Sequence, residues 1–168
     1  MATELPIPIQ FKLPDGWEPA PPDEVGAPGA AFVALNRAAH GSGFTANITI
    51  DGEYRLDTAT LAEIADESVE NLRAAAPDVT VVSRNEIGTP EAPGLTQDLR
   101  MATEINGVKR ELVQSQVYLS MNDTEDARKR AVIRAVLTST VEQFGSVIDD
   151  FREFLSTLRP DTPPRATP

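Results

Sequence analysis

The sequence holds one histidine, His40, in the stretch His-Gly-Ser-Gly that ends at Gly43. A serine close to a histidine is the pair that a serine hydrolase uses, with the histidine acting as the base that activates the hydroxyl. Hydrolases place this serine in the pattern Gly-x-Ser-x-Gly, on a strained turn between a strand and a helix. Here histidine replaces the first glycine of that pattern, and near neighbours on a tight turn rarely point at each other. We therefore expect a glycine-rich turn rather than a hydrolase site.

Two acidic stretches have the residue types that could hold a hard cation, because calcium and magnesium prefer carboxylate oxygens. Asp51 and Glu53 belong to the first stretch, and Asp123, Glu125 and Asp126 belong to the second. A calcium loop needs ligands at fixed positions and a closing bidentate carboxylate, and neither stretch has that spacing. The chain also lacks cysteine, which excludes thiolate ligands for zinc. We therefore expect solvated turns, with neither a metal nor another cofactor.

The charge of the chain argues against binding to nucleic acids. The formal net charge is −11 at pH 7, and an acidic surface repels both phosphate backbones and anionic membrane surfaces. The one basic cluster, Arg128–Arg130, lies beside three acidic residues, which predicts a solvated hairpin tip, with a local docking patch as the alternative. Neither a P-loop nor a dinucleotide-binding fingerprint is present.

Length and composition predict one domain in the cytoplasm. A chain of 168 residues fits a single domain, which we place at residues 1–159. Residues 160–168 are too polar and proline-rich to pack, and we expect them to form a disordered tail. The N-terminal sequence has no signal-peptide pattern, and no window reaches the ~18 apolar residues of a membrane-spanning helix.

Alternating apolar and polar residues predict seven strands, most of them joined by hairpins. Asn106-Gly107 is the strongest turn signal, because a type I′ turn needs positive φ at both central residues. The order of elements is β-β-β-α-β-β-β-β-α, which predicts a mostly antiparallel sheet. The predicted strands cover residues 7–13, 30–36, 43–52, 78–87, 95–105, 108–120 and 131–139.

Two amphipathic helices follow from apolar stripes at helical spacing and from capping signals. The first begins after Thr60, where Glu63 completes a capping box, and it ends before Pro77. The second can be capped by Ser139 or Thr140, each of which has a glutamate or glutamine three residues later. Each helix needs to bury its stripe against a face of the sheet, and the two helices either share one face or take one each.

The only tryptophan, Trp17, follows a turn at Pro14-Asp15-Gly16. We expect its ring to cover the end of the core, because the indole has a large apolar area and an N–H that can stay near water. Pro8 removes one backbone donor from the predicted first strand, which favours an edge position. The proline-rich stretch Glu18–Gly29 is expected to be a surface loop.

Five stretches taken together resemble the PsbP-like fold, and in particular the bacterial LpqN and DcrB types. They are "FKLPDGW", the "ITI" ahead of the first helix, "VTVVSRNEIG", the hairpin "INGVKRELVQSQVYL" and the closing "FREFLSTL". The resemblance spans Ile7 to Leu158 and implies an α+β fold, an α/β/α sandwich around a mostly antiparallel sheet of six or seven strands. Trp17 would then be a structural plug after the first strand.

The resemblance also implies a protein that is not an enzyme. Known members of the fold act as binding modules, secretion-effector chaperones or photosystem accessory proteins, and no catalytic residue set belongs to them. LpqN-type members are commonly exported lipoproteins, whereas this chain has no cysteine for a lipid anchor.

Polar side chains on the predicted strands define a candidate partner-binding surface. They fall opposite the apolar stripes, so that they form either an ordinary solvent-facing surface or a recognition surface for another protein. Tyrosine and arginine are enriched at binding hot spots, which favours recognition. The residues of this predicted surface are Thr45, Asn47, Arg100, Gln114, Gln116, Tyr118 and Arg134.

Two functional hypotheses follow. The first is a non-catalytic, cytoplasmic protein-interaction module, of adaptor or chaperone-like type, that binds another protein. This hypothesis is also compatible with a homodimer. It predicts a filled core and an exposed strand edge or apolar patch. The second is a carrier of a small hydrophobic ligand, with a START-like internal cavity anchored by Tyr118 or Arg100. An enzyme of a type that these patterns do not reveal is the remaining alternative.

Overall fold

A computed structural model describes residues 9–22, 30–39, 44–55, 59–89, 93–105, 107–122 and 130–160. Within these ranges the chain forms nine strands and two α-helices, and a short 3₁₀ turn at Arg37–Ala39. In chain order the strands and helices are β1 Ile9–Gln10, β2 Trp17–Ala20, β3 Phe32–Asn36, β4 Asn47–Tyr54, α1 Leu61–Ala75, β5 Thr80–Gly88, β6 Pro93–Ile105, β7 Val108–Asn122, β8 Arg130–Thr140, α2 Val141–Thr157 and β9 Arg159–Pro160.

Seven of the strands form one antiparallel sheet in the order β2-β3-β4-β8-β7-β6-β5. Strands β5 to β8 form a meander, in which each strand pairs with the next along the chain. Strand β8 then lies against β4, which joins the meander to β2 and β3. The short strands β1 and β9 pair with each other outside this sheet. This arrangement confirms the predicted α+β fold with a sheet of about seven antiparallel strands.

The two helices cover opposite sides of the sheet. Ile48 of β4 lies opposite Leu137 of β8, and both belong to the core under α2. Asp51 of β4 lies opposite Arg134 of β8, whose side chain reaches α1. Because side chains alternate along a strand, these two pairs determine the side of the sheet on which every other strand residue lies. We call the two surfaces the α2 side and the α1 side, and together they confirm the predicted α/β/α sandwich.

The larger core lies on the α2 side. Phe151 and Phe154 of α2 are fully buried against the central strands. Phe11 packs edge-on against Phe32 and Phe154, with ring centroids 4.8 and 5.2 Å apart, an arrangement that aromatic quadrupoles favour. The strand residues that fill this core are Ala34, Ile48, Ile50, Val117, Ile133, Ala135 and Leu137.

The core on the α1 side has two parts. Leu61, Ile64 and Ala65 at the start of α1 pack against Leu95, Tyr118 and Val132. Further along the helix, the residues packed together are Val69, Leu72, Ala76, Val79, Leu99, Met101 and Leu112. These contacts place α1 mainly over β6 and β7, so most of this helix lies over one end of the sheet.

Both helices begin at the capping boxes that the sequence predicts. The Thr60 hydroxyl accepts a hydrogen bond from Glu63 N at 3.1 Å, and the Glu63 carboxylate accepts one from Thr60 N. Of the two candidates for the second cap, Thr140 is the one used, and it exchanges the same pair of bonds with Gln143. Ser139 is buried and donates to the Thr140 carbonyl instead.

The predicted turn between β6 and β7 agrees with the register. Ile105 pairs with Val108, so the connection has two residues, and Gly107 has a φ of +79° as a type I′ turn requires.

Several other sequence predictions fall outside the described residues. These are the predictions at Pro8, residues 23–29, His40–Gly43, Asn106, Asp123–Lys129 and residues 161–168. The predicted disordered tail was wrong at its first residue, since Pro160 pairs with Ile9.

The predictions for the N-terminal region were partly wrong. The first strand is not a member of the main sheet: of its described residues 9–13, Ile9–Gln10 forms a strand, and this strand pairs with β9. The stretch after Trp17 is also no simple loop, because Trp17–Ala20 forms the edge strand β2 against β3. Pro19 lies within β2, which an edge strand tolerates because its outer side needs no backbone donor. The sheet therefore has the predicted number of strands with a different first member.

Trp17 is a core residue, as predicted, but its N–H has a protein partner rather than water. The side chain is 5% exposed and belongs to the core under α2. Its Nε1 donates to the Asp150 Oδ2 of α2 at 3.0 Å. Trp17 thereby joins the edge strand β2 to the helix that covers the sheet.

We expect Trp17→Phe to lower the free energy of unfolding by about 1–3 kcal/mol, because it removes this hydrogen bond and some buried area. Asp150→Asn keeps an acceptor at the same place, and we expect a loss below about 1 kcal/mol. Urea denaturation followed by far-ultraviolet circular dichroism measures both. A Trp17→Phe protein as stable as the parent would contradict the structural role of the indole.

Two glycine-to-alanine substitutions should change stability in opposite directions. A Cβ at Gly94 would lie 2.9 Å from the Ile87 Cγ1 and 3.2 Å from the Tyr118 carbonyl oxygen, so Gly94→Ala should destabilise by about 1–3 kcal/mol. Gly145 lies within α2 with open space around it, so Gly145→Ala should stabilise by about 1 kcal/mol. Thermal melts of both variants check the pair, and two shifts of the same sign would refute it.

Candidate interaction surfaces

The structure brings together five of the seven residues of the predicted surface. Asn47, Gln114, Gln116, Tyr118 and Arg134 all lie on the α1 side of neighbouring strands. Their shared side follows from the register, in which the strands β4, β8 and β7 are adjacent.

The other two residues lie elsewhere. Thr45 precedes β4, and its carbonyl oxygen accepts a hydrogen bond from Asn47 Nδ2 at 3.1 Å. Arg100 of β6 lies opposite Val113 of β7, on the α2 side. The expectation of one shared face was wrong for Arg100. Side chains alternate along β6, so the Arg100 side chain lies on the α2 side, whereas Leu99 and Met101 lie on the α1 side.

The expected exposure was also wrong at two positions. Gln116 and Tyr118 are each only 1% exposed, because α1 lies over them. Alternation indicates which residues share a side of a strand, but it does not indicate which part of that side a helix covers. Neither residue can therefore contact a partner directly in this conformation.

A ladder of glutamines connects β5, β6 and β7 beneath α1. Gln97 Nε2 donates to Gln116 Oε1 at 2.7 Å, and the Tyr118 hydroxyl donates to the same oxygen at 2.7 Å. Gln116 Nε2 donates in turn to Gln114 Oε1 at 2.8 Å. Burying an amide without a hydrogen-bond partner costs free energy. These bonds give the buried amides their partners, and they therefore favour a single arrangement of the strands and the helix.

The outer end of the ladder is an arginine of β5. Arg84 donates to Gln97 Oε1 from Nη2 at 2.7 Å and from Nε at 3.0 Å. Its Nη1 forms an ion pair with Asp66 of α1 at 2.8 Å. The side chain thus ties the last strand of the sheet to the helix above it.

Arg134 has a similar role near the other edge of α1. It forms an ion pair with Asp51 at 2.6 Å and donates to the Ser68 hydroxyl of α1 at 2.9 Å. Burial by itself lowers the pKa of Arg134, but the charge and hydrogen bonds of Asp51 and the nearby Tyr118 raise it, and the net pKa lies above its usual value. Arg134 is thus a permanent cation whose charge is already balanced.

A groove lies beside α1 on the same side of the sheet, over β3, β4 and β8. Its volume is about 370 Å³, and half-buried Asn47, Thr49 and Thr138 lie along it. Apolar side chains from both strands and helix contribute the rest of its walls. We call this the α1-side groove; its lining residues are Val33, Leu35, Phe44, Asn47, Thr49, Leu72, Gln114, Gln116, Arg134, Val136 and Thr138.

The two anchors expected for an internal ligand do not share a cavity. Tyr118 lines a cleft of about 290 Å³ between α1 and β4, together with charged side chains that pair with one another, such as Arg55 and Glu67. Arg100 lies in a shallow site on the α2 side, where it pairs with Glu111 at 3.0 Å. Tyr118 and Arg100, the alternative anchors for an internal ligand, therefore line open sites among the described residues rather than a START-like internal cavity.

The described part of the chain holds no group of three histidine, cysteine or carboxylate side chains that could bind a metal ion. Among these same residues, no helix is both long enough and apolar enough to cross a membrane.

Among the described residues, β5 is a long strand at the edge of the sheet, while the expectation of an edge at Pro8 stays untested. This strand lies at the end of the sheet and pairs only with β6. Val81, Val82 and Ile87 are 36%, 58% and 43% exposed. The sequence predicted the strand, but its position at the edge depends on β8 inserting between β4 and β7, which local patterns do not reveal.

Comparison with known proteins shows which fold this is. No family model matches the chain, and a search of curated proteins found no match. Among solved structures, LpqN, involved in cell envelope biogenesis of Mycobacterium tuberculosis, aligns with a TM-score of 0.64 at 12% identity, over 90% of this chain and 83% of LpqN.

Two further structures cover most of the chain. Cyanobacterial PsbP from Synechocystis sp. PCC 6803 has a TM-score of 0.57 at 11% identity, over 92% of this chain and 93% of its own. The Saccharomyces cerevisiae Ran-binding protein Mog1p has a TM-score of 0.55 at 12% identity, over 90% and 89%. At such low identity the likeness concerns the fold alone, and the fold of this chain is the PsbP-like fold, with LpqN-type proteins among its neighbours.

Proposed function

We propose that the protein is a non-catalytic interaction module, of adaptor or chaperone-like type, whose protein partner binds in the α1-side groove. One observation carries this proposal: the groove combines apolar walls with polar side chains on its floor, on a part of the sheet that α1 leaves open. Protein-binding sites commonly combine an apolar centre with a few polar groups that fix the orientation of the partner.

The rigid floor of the groove supports recognition by shape. Gln114 and Arg134 are held by the glutamine ladder and by Asp51, so their positions do not depend on a partner. A site that is already ordered loses little side-chain entropy on binding. Asn47 lines the groove at the start of β4, and its side chain is held by a hydrogen bond to the Thr45 carbonyl oxygen.

The polar groups near the groove already have hydrogen-bond or ion-pair partners, which supports a function other than catalysis. A general base or nucleophile needs an atom that is available to the substrate. Asp51 is paired with Arg134, and the Tyr118 hydroxyl is bonded to Gln116, so the ionisable groups nearest to the groove already have partners.

The structural neighbours support a protein as the partner class. Mog1p is a Ran-binding protein, so one member of this fold binds another protein. The compartment stays a prediction: we propose the cytoplasm from the sequence, although LpqN acts in cell envelope biogenesis. A homodimer also stays a prediction.

The experiment compares two threonine variants that carry the same chemical change. Thr49→Arg places a long cation in the groove, whereas Thr96→Arg places it on the α2 side of β6; both threonines are half-buried strand residues. Tagged parent and variant proteins are used to capture partners from the native cell, and bound proteins are quantified by mass spectrometry. We expect a partner that the parent and Thr96→Arg retain and that Thr49→Arg reduces at least about tenfold.

Circular dichroism and thermal melts establish that both variants fold. A partner retained equally by both variants would refute the groove as the binding surface. Native mass spectrometry of the purified parent tests the alternative: a small molecule that copurifies and is lost in Thr49→Arg would favour a ligand carrier over an interaction module.

A further inference from the structure

The two ends of the sheet differ in how they protect their backbone. At one end, β2 has four residues and contains Pro19, which has no backbone N–H to offer. At the other end, β5 has nine residues, and no backbone hydrogen bond joins its outer edge to another element within the described residues. Natural sheets usually shorten, cover or charge such an edge, since it is a template for another strand.

The outer strand also exposes apolar side chains on both of its surfaces. Val81 lies opposite Leu99 on the α1 side, and Ile87 lies opposite Gly94 on the α2 side. Val82 occupies an irregularity in the pairing, after which the register is regular from Ser83 to Gly88. This regular stretch is long enough for an added strand to pair with it, and exposed apolar side chains lie just before it, at Val82, and within it, at Ile87.

The charge around this edge is negative. Both nearby arginines are already paired, Arg84 with Asp66 and Arg100 with Glu111. Glu86, on β5 itself, and Asp98, on β6, have no cationic partner among the described residues. With a formal net charge of −11 on the whole chain, this edge attracts a basic segment and repels an acidic one.

From these three features we propose that the outer edge of β5, from Ser83 to Gly88, binds an extended basic segment of a partner protein by strand addition. Backbone hydrogen bonds give this binding its affinity, and alternate β-branched and basic side chains of the segment give it specificity. Because side chains alternate along a strand, the basic side chains lie on the α1 side near Glu86, and the β-branched ones lie on the α2 side, where they cover Ile87.

A second copy of this chain is the less favourable occupant. Two chains that each carry a charge of −11 repel one another, and a large net charge keeps proteins monomeric.

The outer edge of β5 lies at the opposite end of the sheet from β3 and β4, which line the α1-side groove. Binding at β5 can therefore succeed or fail independently of the proposed function.

The test uses designed peptides as probes, since the natural segment is unidentified. A fluorescein-labelled eight-residue peptide of alternating valine and lysine is titrated with the full chain, and fluorescence anisotropy gives the dissociation constant. Two matched controls are an alternating valine and glutamate peptide, and the valine–lysine peptide with N-methyl groups on alternate residues. We expect each control to bind at least about tenfold more weakly, through charge repulsion and through lost backbone hydrogen bonds respectively.

Nuclear magnetic resonance of ¹⁵N-labelled protein locates the peptide. We expect the largest amide shifts within Ser83–Gly88, and we expect Glu86→Lys to weaken binding while Thr49→Arg in the groove leaves it unchanged. Equal binding of the N-methylated peptide, or shifts confined to the groove, would overturn the proposal. So would sedimentation showing that the chain already forms a dimer that Glu86→Lys or Ile87→Lys dissociates, because a second copy would then occupy the edge.

Discussion

The structure depends on the difference in width between a helix and a seven-stranded sheet. A helix with its side chains is about 10 Å across, and neighbouring strands lie about 4.8 Å apart, so one helix covers only two or three strands. Helix α1 lies over β6 and β7, and α2 lies mainly over β8 and β7. Each side of the sheet therefore keeps an uncovered part, and the α1-side groove lies in one of them.

Within the covered part, polar residues reinforce the fit of the helix. The glutamine ladder runs from Arg84 through Gln97 and Gln116, and its bonds satisfy amide groups that would otherwise be buried without partners. At the border of the groove, Arg134 joins β8 to both β4 and α1. These networks keep α1 in one position, and that position determines where the groove lies. The proposed binding surface and a structural network are thus built from the same strands.

The sequence predicted the larger part of the fold. Strict alternation in β4 and β6, the Asn106-Gly107 turn and the capping boxes at Thr60 and Thr140 are local signals, and the structure agrees with each one that it describes. The candidate surface was predicted less well. Asn47, Gln114, Gln116 and Arg134 do line the groove, but Gln116 is buried, Tyr118 lies beneath α1 and Arg100 is on the other side.

What the sequence by itself determined were both helices, the strands β3 to β8 and which side chains share a side of each of these strands, because these depend on residues only a few positions apart. The tertiary structure alone decided the order of the strands, the side that each helix covers and the strand that becomes an edge. Pairing of β4 with β8 joins residues more than eighty positions apart, such as Asp51 and Arg134. Such a contact depends on the packing of the whole chain, so no local pattern reveals it.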